Sequence, residues 1–370
     1  MSSGCCATVE RGRSNAMKVI DADAHIDETD ATWDFLDPGH VKLRPITAVA
    51  VEDAATAGIA KNFLRYWNID GRMRLRRMRD DVRTGTTEAT RELKDVPARL
   101  RQMDELGVDV QVLYPTTMLS AVSEKPEVEL ALCRSYNRWI ASRCAESGGR
   151  LRWVASMPVL SIDAAVEEMA WAKEHGAAGA IKRGVEAGQR SAGDPYFYPL
   201  YRQAEELDMA MCIHIGAGEV TEGMTNPIWQ HRLPPIDAFV SLVLERVPEK
   251  FPRLRVGFVE AMSSWVPFAL AELEARKERM AWFTDVHLQE DLLRECRFYV
   301  ACQTHEDLNY IASRTGSDNL VIGTDYGHAD QSAEINALSI LREKGEREEI
   351  PASLAEKVLT ANPAALYGID

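Results

Sequence analysis

The chain has 370 residues, 46% hydrophobic and 27% charged, the balance of a globular protein long enough for one large domain. Its formal net charge of −14 excludes broad contact with nucleic-acid phosphates or an anionic membrane surface, yet leaves room for a small basic pocket that takes an anionic substrate. No apolar run approaches the roughly 20 residues of a membrane helix, and the seven cysteines, odd in number and without a CxxC pair, argue against a disulfide framework or thiolate zinc site and fit a reducing cytoplasm.

Residues 1–16, MSSGCCATVERGRSNA, have no apolar core of the secretory kind and are set aside as a disordered extension, with a single domain expected over 17–370. The first apolar run, Lys18 to Asp23, ends in the polar cluster DADAH. Residues 24–107 follow, far more than one crossover needs, and a long insertion there is expected to form a lid, a substrate wall or a dimer arm. It holds the arginine-rich RMRLRRMRDDVR (72–83), read as a solvated face with a subunit contact or an anion gate as the alternatives, and the helical VPARLRQMDELG. Its aromatic residues Trp33, Phe35, Phe63, Tyr66 and Trp67 suit core packing first and an apolar substrate wall second.

From residue 108 short apolar runs recur: VDVQVLYP (108–115), LRWVASMPV (151–159), GAIKRG (179–184), AMCIHIG (210–216), RVGFVEA (255–261), FYVACQ (298–303) and NLVIGTD (319–325). They read as buried parallel strands. Residues 126–146, 161–175, 265–280, 331–342 and 352–360 carry helical periodicity, the first placing Val128, Leu132, Tyr136, Trp139 and Ile140 on one face. Strand and helix in alternation predict a parallel sheet with helical crossovers, and eight such strands favour a closed (β/α)8 TIM-type barrel over an open sheet. Cys212 and Cys302, inside strand-like runs, read as small buried hydrophobes.

Catalytic groups of a parallel barrel gather at the C-terminal strand ends. The first strand ends in Asp23-Ala-His25, the fifth carries His214, the sixth Glu260 and the eighth Asp325. Each has an ordinary alternative on its own: a satisfied core histidine for His214, a helix cap for Asp325, and for Glu260 a buried ion pair, with Lys182 as a partner. Ionisable groups in apolar strands are costly unless paired or bound to metal. Their recurrence at four matching strand ends points to a shared divalent cation.

The chain resembles the amidohydrolase superfamily, and within it the group that includes aminocarboxymuconate-semialdehyde decarboxylase-like enzymes. The resemblance rests on the DxH end of the first strand, VDVQVLYP, His214 in the fifth strand, FPRLRVGFVEAMSSWVPF, GTDYGHAD and the closing EKVLTANPAALYGI. It implies metal ligation by Asp23, His25 and His214, with Asp325 as a further ligand or the general base. It also implies a homodimer acting on a small carboxylate-bearing molecule by hydrolysis or decarboxylation. The sequence departs from many members at the sixth strand, where Glu260 replaces a histidine. Such an oxygen-rich set suits iron or manganese as well as zinc, as one ion or two. A relative on this fold with a nonheme diiron centre hydroxylates diterpenoid intermediates, so a diiron monooxygenase is the second reading. A catalytically silent ligand-binding barrel is the third.

Lys182 stands where two-metal members place a carbamylated lysine, and it is expected to hold a substrate carboxylate, to pair with Glu260, or to bridge metals. Arg183 should point the opposite way. His305 and His328 are candidates for substrate contact or support of the ligands, with helix capping or exposure as the alternatives. His231 sits in a loop that can cover the site, His175 at a helix end, and His40 and His287 at the surface.

Overall fold

The structure, a computed structural model, describes residues 17–49, 65–76, 81–216, 227–283 and 285–370. Residues 1–16, Phe63 and part of the arginine run (77–80) therefore lie outside the described residues.

Eight parallel strands form one sheet in sequence order: β1 (Ile20–His25), β2 (Val110–Tyr114), β3 (Leu151–Ser156), β4 (Ala177–Lys182), β5 (Ala210–His214), β6 (Val256–Val259), β7 (Phe298–Cys302) and β8 (Leu320–Ile322). The sheet curls until β8 meets β1: Asp325 N donates to Asp23 O at 2.9 Å and His25 N to Tyr326 O at 2.9 Å. Gly323 permits this approach, because a Cβ there would sit 2.3–2.7 Å from Asp23 atoms.

The fold is a TIM barrel, as the alternating pattern predicts. Its crossovers include α1 (Val96–Leu106), α2 (Pro126–Ala145), α3 (Ile162–Glu174), α4 (Tyr198–Glu206), α5 (Pro227–Leu244), α6 (Val266–Arg279), α7 (Leu308–Thr315) and α8 (Ala337–Glu346). The ends of α1 follow from its sequence: the Asp95 carboxylate caps Ala98 N at 2.8 Å, and Gly107 stops the helix at φ +69°. The helix expected over 331–342 starts later, at Ala337, because Asp330 and Glu334 turn their carboxylates onto the backbone amides of Ser332 and Asn336.

Two apolar layers result. One lies between strands and helices, with Trp33, Trp67, Tyr136, Trp139 and Phe258 in it. The other fills the barrel, from Ile20, Ala22, Val112, Tyr114, Val154 and Cys212 to Val321. After α9 (Ala352–Leu359), the short helix α10 (Ala361–Tyr367) closes the N-terminal end of the barrel. There Tyr367 Oη donates to Ala22 O at 2.7 Å and lies 2.7 Å from Tyr114 Oη.

Within the described part of the 24–107 insertion, Ile46–Val49, Arg65–Ile69 and Arg72–Arg76 make a three-stranded antiparallel sheet, which short alternation did not reveal. Trp33 and Trp67 are core residues packed edge to face, whereas Phe35 is exposed. Arg72 pairs with Glu124 and Arg76 with Glu92. Among the described residues no helix is long and apolar enough to cross a membrane.

Candidate metal centre

The mouth of the barrel is built around a register shift in β1. Ile20 and Asp21 pair with Val110 and Gln111, but Ala24 pairs with Leu113, so β1 carries one extra residue. Ile20 and Ala22 face the barrel interior. After the bulge Asp23 and His25 also face inward, and Ala24 packs against the helices. Asp21 stays outside, accepting from Gln111 Nε2 at 2.9 Å, Thr324 N at 2.9 Å and Thr324 Oγ1 at 2.6 Å. Arg99, fully buried, extends this network from Gln111 to the carbonyl of His25.

The carboxylates on β6 and β8 arrive by another route. Glu260 (φ +57°) and Asp325 (φ +51°) are both left-handed residues at strand ends, an uncommon conformation for side chains with a Cβ. It turns each carboxylate from the strand line into the mouth.

Asp23, His25, His214 and Glu260, all buried, offer ligand atoms within 4.8 Å of one another, as do His25, Glu260, Asp325 and His328. His214 Nε2 lies 3.5 Å from Asp23 Oδ1 and 3.4 Å from Glu260 Oε2. His25 Nε2 lies 3.3 Å from Asp23 Oδ1 and 3.4 Å from Asp325 Oδ1. Each ring is oriented from behind: His25 Nδ1 donates to Pro115 O at 2.8 Å and His214 Nδ1 to Ile215 O at 2.7 Å. The Nε2 lone pairs are thereby left facing the centre, as metal ligation requires.

Asp23 Oδ1, His25 Nε2 and His214 Nε2 are buried without a hydrogen-bond partner. Buried polar atoms are seldom left so, and a divalent cation among them fits the donor set.

The buried ionisable groups perturb one another. Burial works to raise Asp23, but His214 and His25 outweigh it and hold this carboxyl below its usual range. Burial pushes Glu260 up to about 8, against the pull of His214 and a Ser332 hydrogen bond. Burial lowers His25. It also opposes charge on His214, which Asp23 and Glu260 nevertheless raise to about 9.

His328 belongs to the site. It stacks on His25 at 3.8 Å, brings Nδ1 to 2.7 Å from Asp325 Oδ1, and contacts Thr116 Oγ1 through Nε2 at 3.1 Å. Lys182, expected to act in catalysis, hold substrate, bridge metals or pair with Glu260, lies outside the ligand groups and pairs with Glu186 instead. Ile181 faces the interior while Lys182, the next residue, points out toward the helices. There it bonds Glu186 Oε1 at 2.9 Å and lies 3.7 Å from the Phe197 ring centroid. Arg183 meets Glu186 as well, at 3.1 Å. His305 is exposed at the rim beyond β7, outside the ligand groups.

Arg232, Ser332 and Thr116 also support the site and were not singled out in the sequence. Arg232 Nη1 donates to the carbonyl of Glu260 at 3.1 Å and Nη2 to Ser332 Oγ at 3.2 Å. None of the three lies on a strand, so strand-end reasoning gave no signal for them.

Comparison with known proteins agrees with this architecture. The chain is 24% identical over 245 residues to 2-amino-3-carboxymuconate-6-semialdehyde decarboxylase of Dictyostelium discoideum, a match covering 63% of this chain and 66% of that protein's length, just under two thirds. An amidohydrolase from Mycobacterium avium subsp. paratuberculosis K-10 shares the fold at a TM-score of 0.75 and 18% identity, covering 96% of this chain and 100% of that one. A dihydroxybenzoic acid decarboxylase from Polaromonas sp. JS666, with bound manganese and the inhibitor 2-nitroresorcinol, superposes at a TM-score of 0.63 and 17% identity, covering 96% of this chain and 98% of that one. The amidohydrolase family profile matches residues 20–369, nearly the whole barrel, and the chain belongs to the amidohydrolase family.

Proposed function

We propose that the protein is a metal-dependent decarboxylase of a small organic carboxylate. The observation that carries the reading is the buried ring of imidazole and carboxylate atoms at the barrel mouth, three of them without a hydrogen-bond partner. The relative and the manganese-bound neighbour named above, both decarboxylases, support it. Glu260 at the sixth strand weighs against simple hydrolysis, the other reaction open to such a site.

Asp23, His25, His214 and Glu260 would hold the ion, which supplies Lewis acidity toward a substrate oxygen when bound. The side chains supply the proton chemistry. In the proposed step the carbon–carbon bond to the departing CO2 breaks, its electron pair stays on the substrate carbon, and a proton from Asp325 takes the vacated position. His328, 2.7 Å from Asp325 Oδ1, is placed to return that proton. The reading carries with it a homodimer in a reducing cytoplasm, where the five free cysteines of the described residues would stay as thiols.

The test is CO2 release by manganese-loaded protein from a panel of hydroxybenzoates and unsaturated amino dicarboxylates. Release from at least one, lost about 100-fold or more in Asp325→Asn, is the expected result. A fully loaded protein that releases CO2 from none of them overturns the proposal.

A second reading rests on the overlap of the two ligand groups, which share His25 and Glu260. A carboxylate can bridge two ions, and two irons held there would suit a nonheme diiron monooxygenase. Two irons per chain, with near-ultraviolet absorption and oxygen consumption, would favour that reading.

A further inference from the structure

Among the ligand residues Glu260 is the hardest to hold. His25 and His214 are each oriented by one backbone carbonyl behind the ring, that of Pro115 and that of Ile215. A carboxylate has two equivalent oxygens and no N–H of its own to steer it. Glu260 also carries a left-handed backbone, φ +57°, repeated two residues on at Met262, φ +64°. Such conformations persist only where the surroundings over-determine them.

The far end of this stretch is fastened by its own neighbours. The buried Glu306 carboxylate accepts from Ser263 N at 2.9 Å and Ser264 N at 2.7 Å, and Trp265 Nε1 donates to Met262 O at 2.8 Å. None of these contacts reaches Glu260, whereas Arg232 does. Its Nη1 donates to Glu260 O at 3.1 Å and its Nη2 to Ser332 Oγ at 3.2 Å. With its oxygen accepting from Arg232, Ser332 has its hydroxyl hydrogen left for the Glu260 carboxylate, to which it bonds. One planar fork of donors thus grips the residue at main chain and side chain, which an ammonium cannot do.

Arg232 is itself fixed. It is only 8% exposed, and the helix that carries it is seated against the end of β4, where a Cβ on Gly184 would lie 2.0 Å from Pro234 O. Among the described residues no carboxylate pairs with its guanidinium. A buried cation without a counter-charge is expensive, a cost that packing alone gives no reason to carry.

We propose that Arg232 is a positioning residue of the metal centre, holding Glu260 at its carbonyl and, through Ser332, at its carboxylate, so that Oε2 is aimed at the cation. The inference rests on the metal-binding part of the proposed function.

The experiment titrates manganese into metal-free protein by calorimetry, beside thermal melts of the same samples. Arg232→Ala should bind manganese about 10–100-fold more weakly, the usual cost of removing a group that orients a ligand. Guanidinium chloride, far below denaturing concentrations, should restore much of the affinity, because a cavity of about 350 Å³ opens onto the vacated position. Sodium chloride at the same concentration should not. Arg232→Lys keeps the charge but reaches at most one of the two acceptors and should fall between, and Ser332→Ala should lose affinity too. In a Glu260→Gln background Arg232→Ala should cost little more. Wild-type affinity in folded Arg232→Ala, or an undiminished cost in the Glu260→Gln background, overturns the assignment. If Arg232→Ala does not fold, Arg232→Lys and Ser332→Ala carry the test, and wild-type affinity in either overturns it. A wild type that binds no manganese sinks the metal reading itself. Weakened binding in the variants, with no CO2 release by wild type from any substrate, leaves the positioning role standing and removes the proposed reaction.

Discussion

Asp21 and Asp23 stand two residues apart on β1 and face opposite sides of the barrel wall. Asp21 bonds to Gln111 and Thr324 outside the barrel, while Asp23 Oδ1 lies 3.5 Å from His214 Nε2 inside it. In a regular strand the two would share a face. The extra residue between them sets the ligand geometry, and the outer network holds that extra residue in place.

Thr324→Val tests this directly. Valine matches the shape but leaves Asp21 without its 2.6 Å hydrogen bond. The change should cost about 1–3 kcal/mol in urea unfolding and weaken manganese binding, although the Thr324 side chain is not one of the ligand groups. Unchanged metal affinity would show that the bulge needs no support from outside the barrel.

Gly323→Ala should be severe. The new methyl would fall 2.3 Å from Asp23 Cβ and 2.6 Å from its carbonyl oxygen, both parts of a packed wall. A loss of about 3 kcal/mol or more is expected from overpacking, with metal occupancy falling because β8 is forced off β1. A thermal midpoint close to wild type contradicts the close approach described here.

His214→Ala should strip metal from the purified protein, and Asp325→Asn should keep most metal while losing turnover. Elemental analysis beside activity separates the two. If both variants retain full activity, the cluster is not the catalytic centre.

The metal-free protein should lose stability as pH rises from 7 to 9. Folding raises His214 from 6.5 to about 9, mainly through Asp23 and Glu260 against burial, and burial raises Glu260 from 4.5 to about 8. Both groups hold protons more tightly when folded, so their contribution is complete below the unfolded values and is lost as pH climbs through the folded ones. His25, lowered by burial, works in the opposite sense, but only near and below its ordinary value of 6.5. Metal binding needs the deprotonated ligands and strengthens with pH, so manganese should flatten the decline. Thermal melts from pH 7 to 9, with and without manganese, check this; a flat or rising metal-free curve refutes it.

Lys182→Met should leave metal content and kinetics unchanged and cost about 3 kcal/mol, since one member of a buried pair is removed. Arg183, 3.1 Å from Glu186, keeps the remaining carboxylate from standing alone. A raised Michaelis constant at unchanged stability would restore Lys182 to the site.

The eight strands were legible because each buried run is short, apolar and bounded by polar residues, and the ligand candidates because charge inside such runs needs a reason. Less visible was anything set by backbone detail. The IDADAH run looks like clean alternation, and nothing in it announces the extra residue. Glu260 and Asp325 could be named, but not their left-handed backbone. The resemblance puts Lys182 at the metal, but the local register does not: Gly179, whose added Cβ would meet Cys212, and Ile181 take the inward positions. Arg232 lies in a helix beside Pro234 and Pro235, where local pattern says nothing about a site.

The short helix beneath the barrel has a bearing on how the protein is made. All eight strands have been synthesised by Ile322, yet the floor of the barrel is supplied by Leu366 and Tyr367. Until those residues leave the ribosome, the lining from Ile20 to Val321 remains open to water at one end. The nascent barrel is thus a vessel without a base, exposed to chaperones and proteases until that helix emerges, and the cation site above it takes shape late.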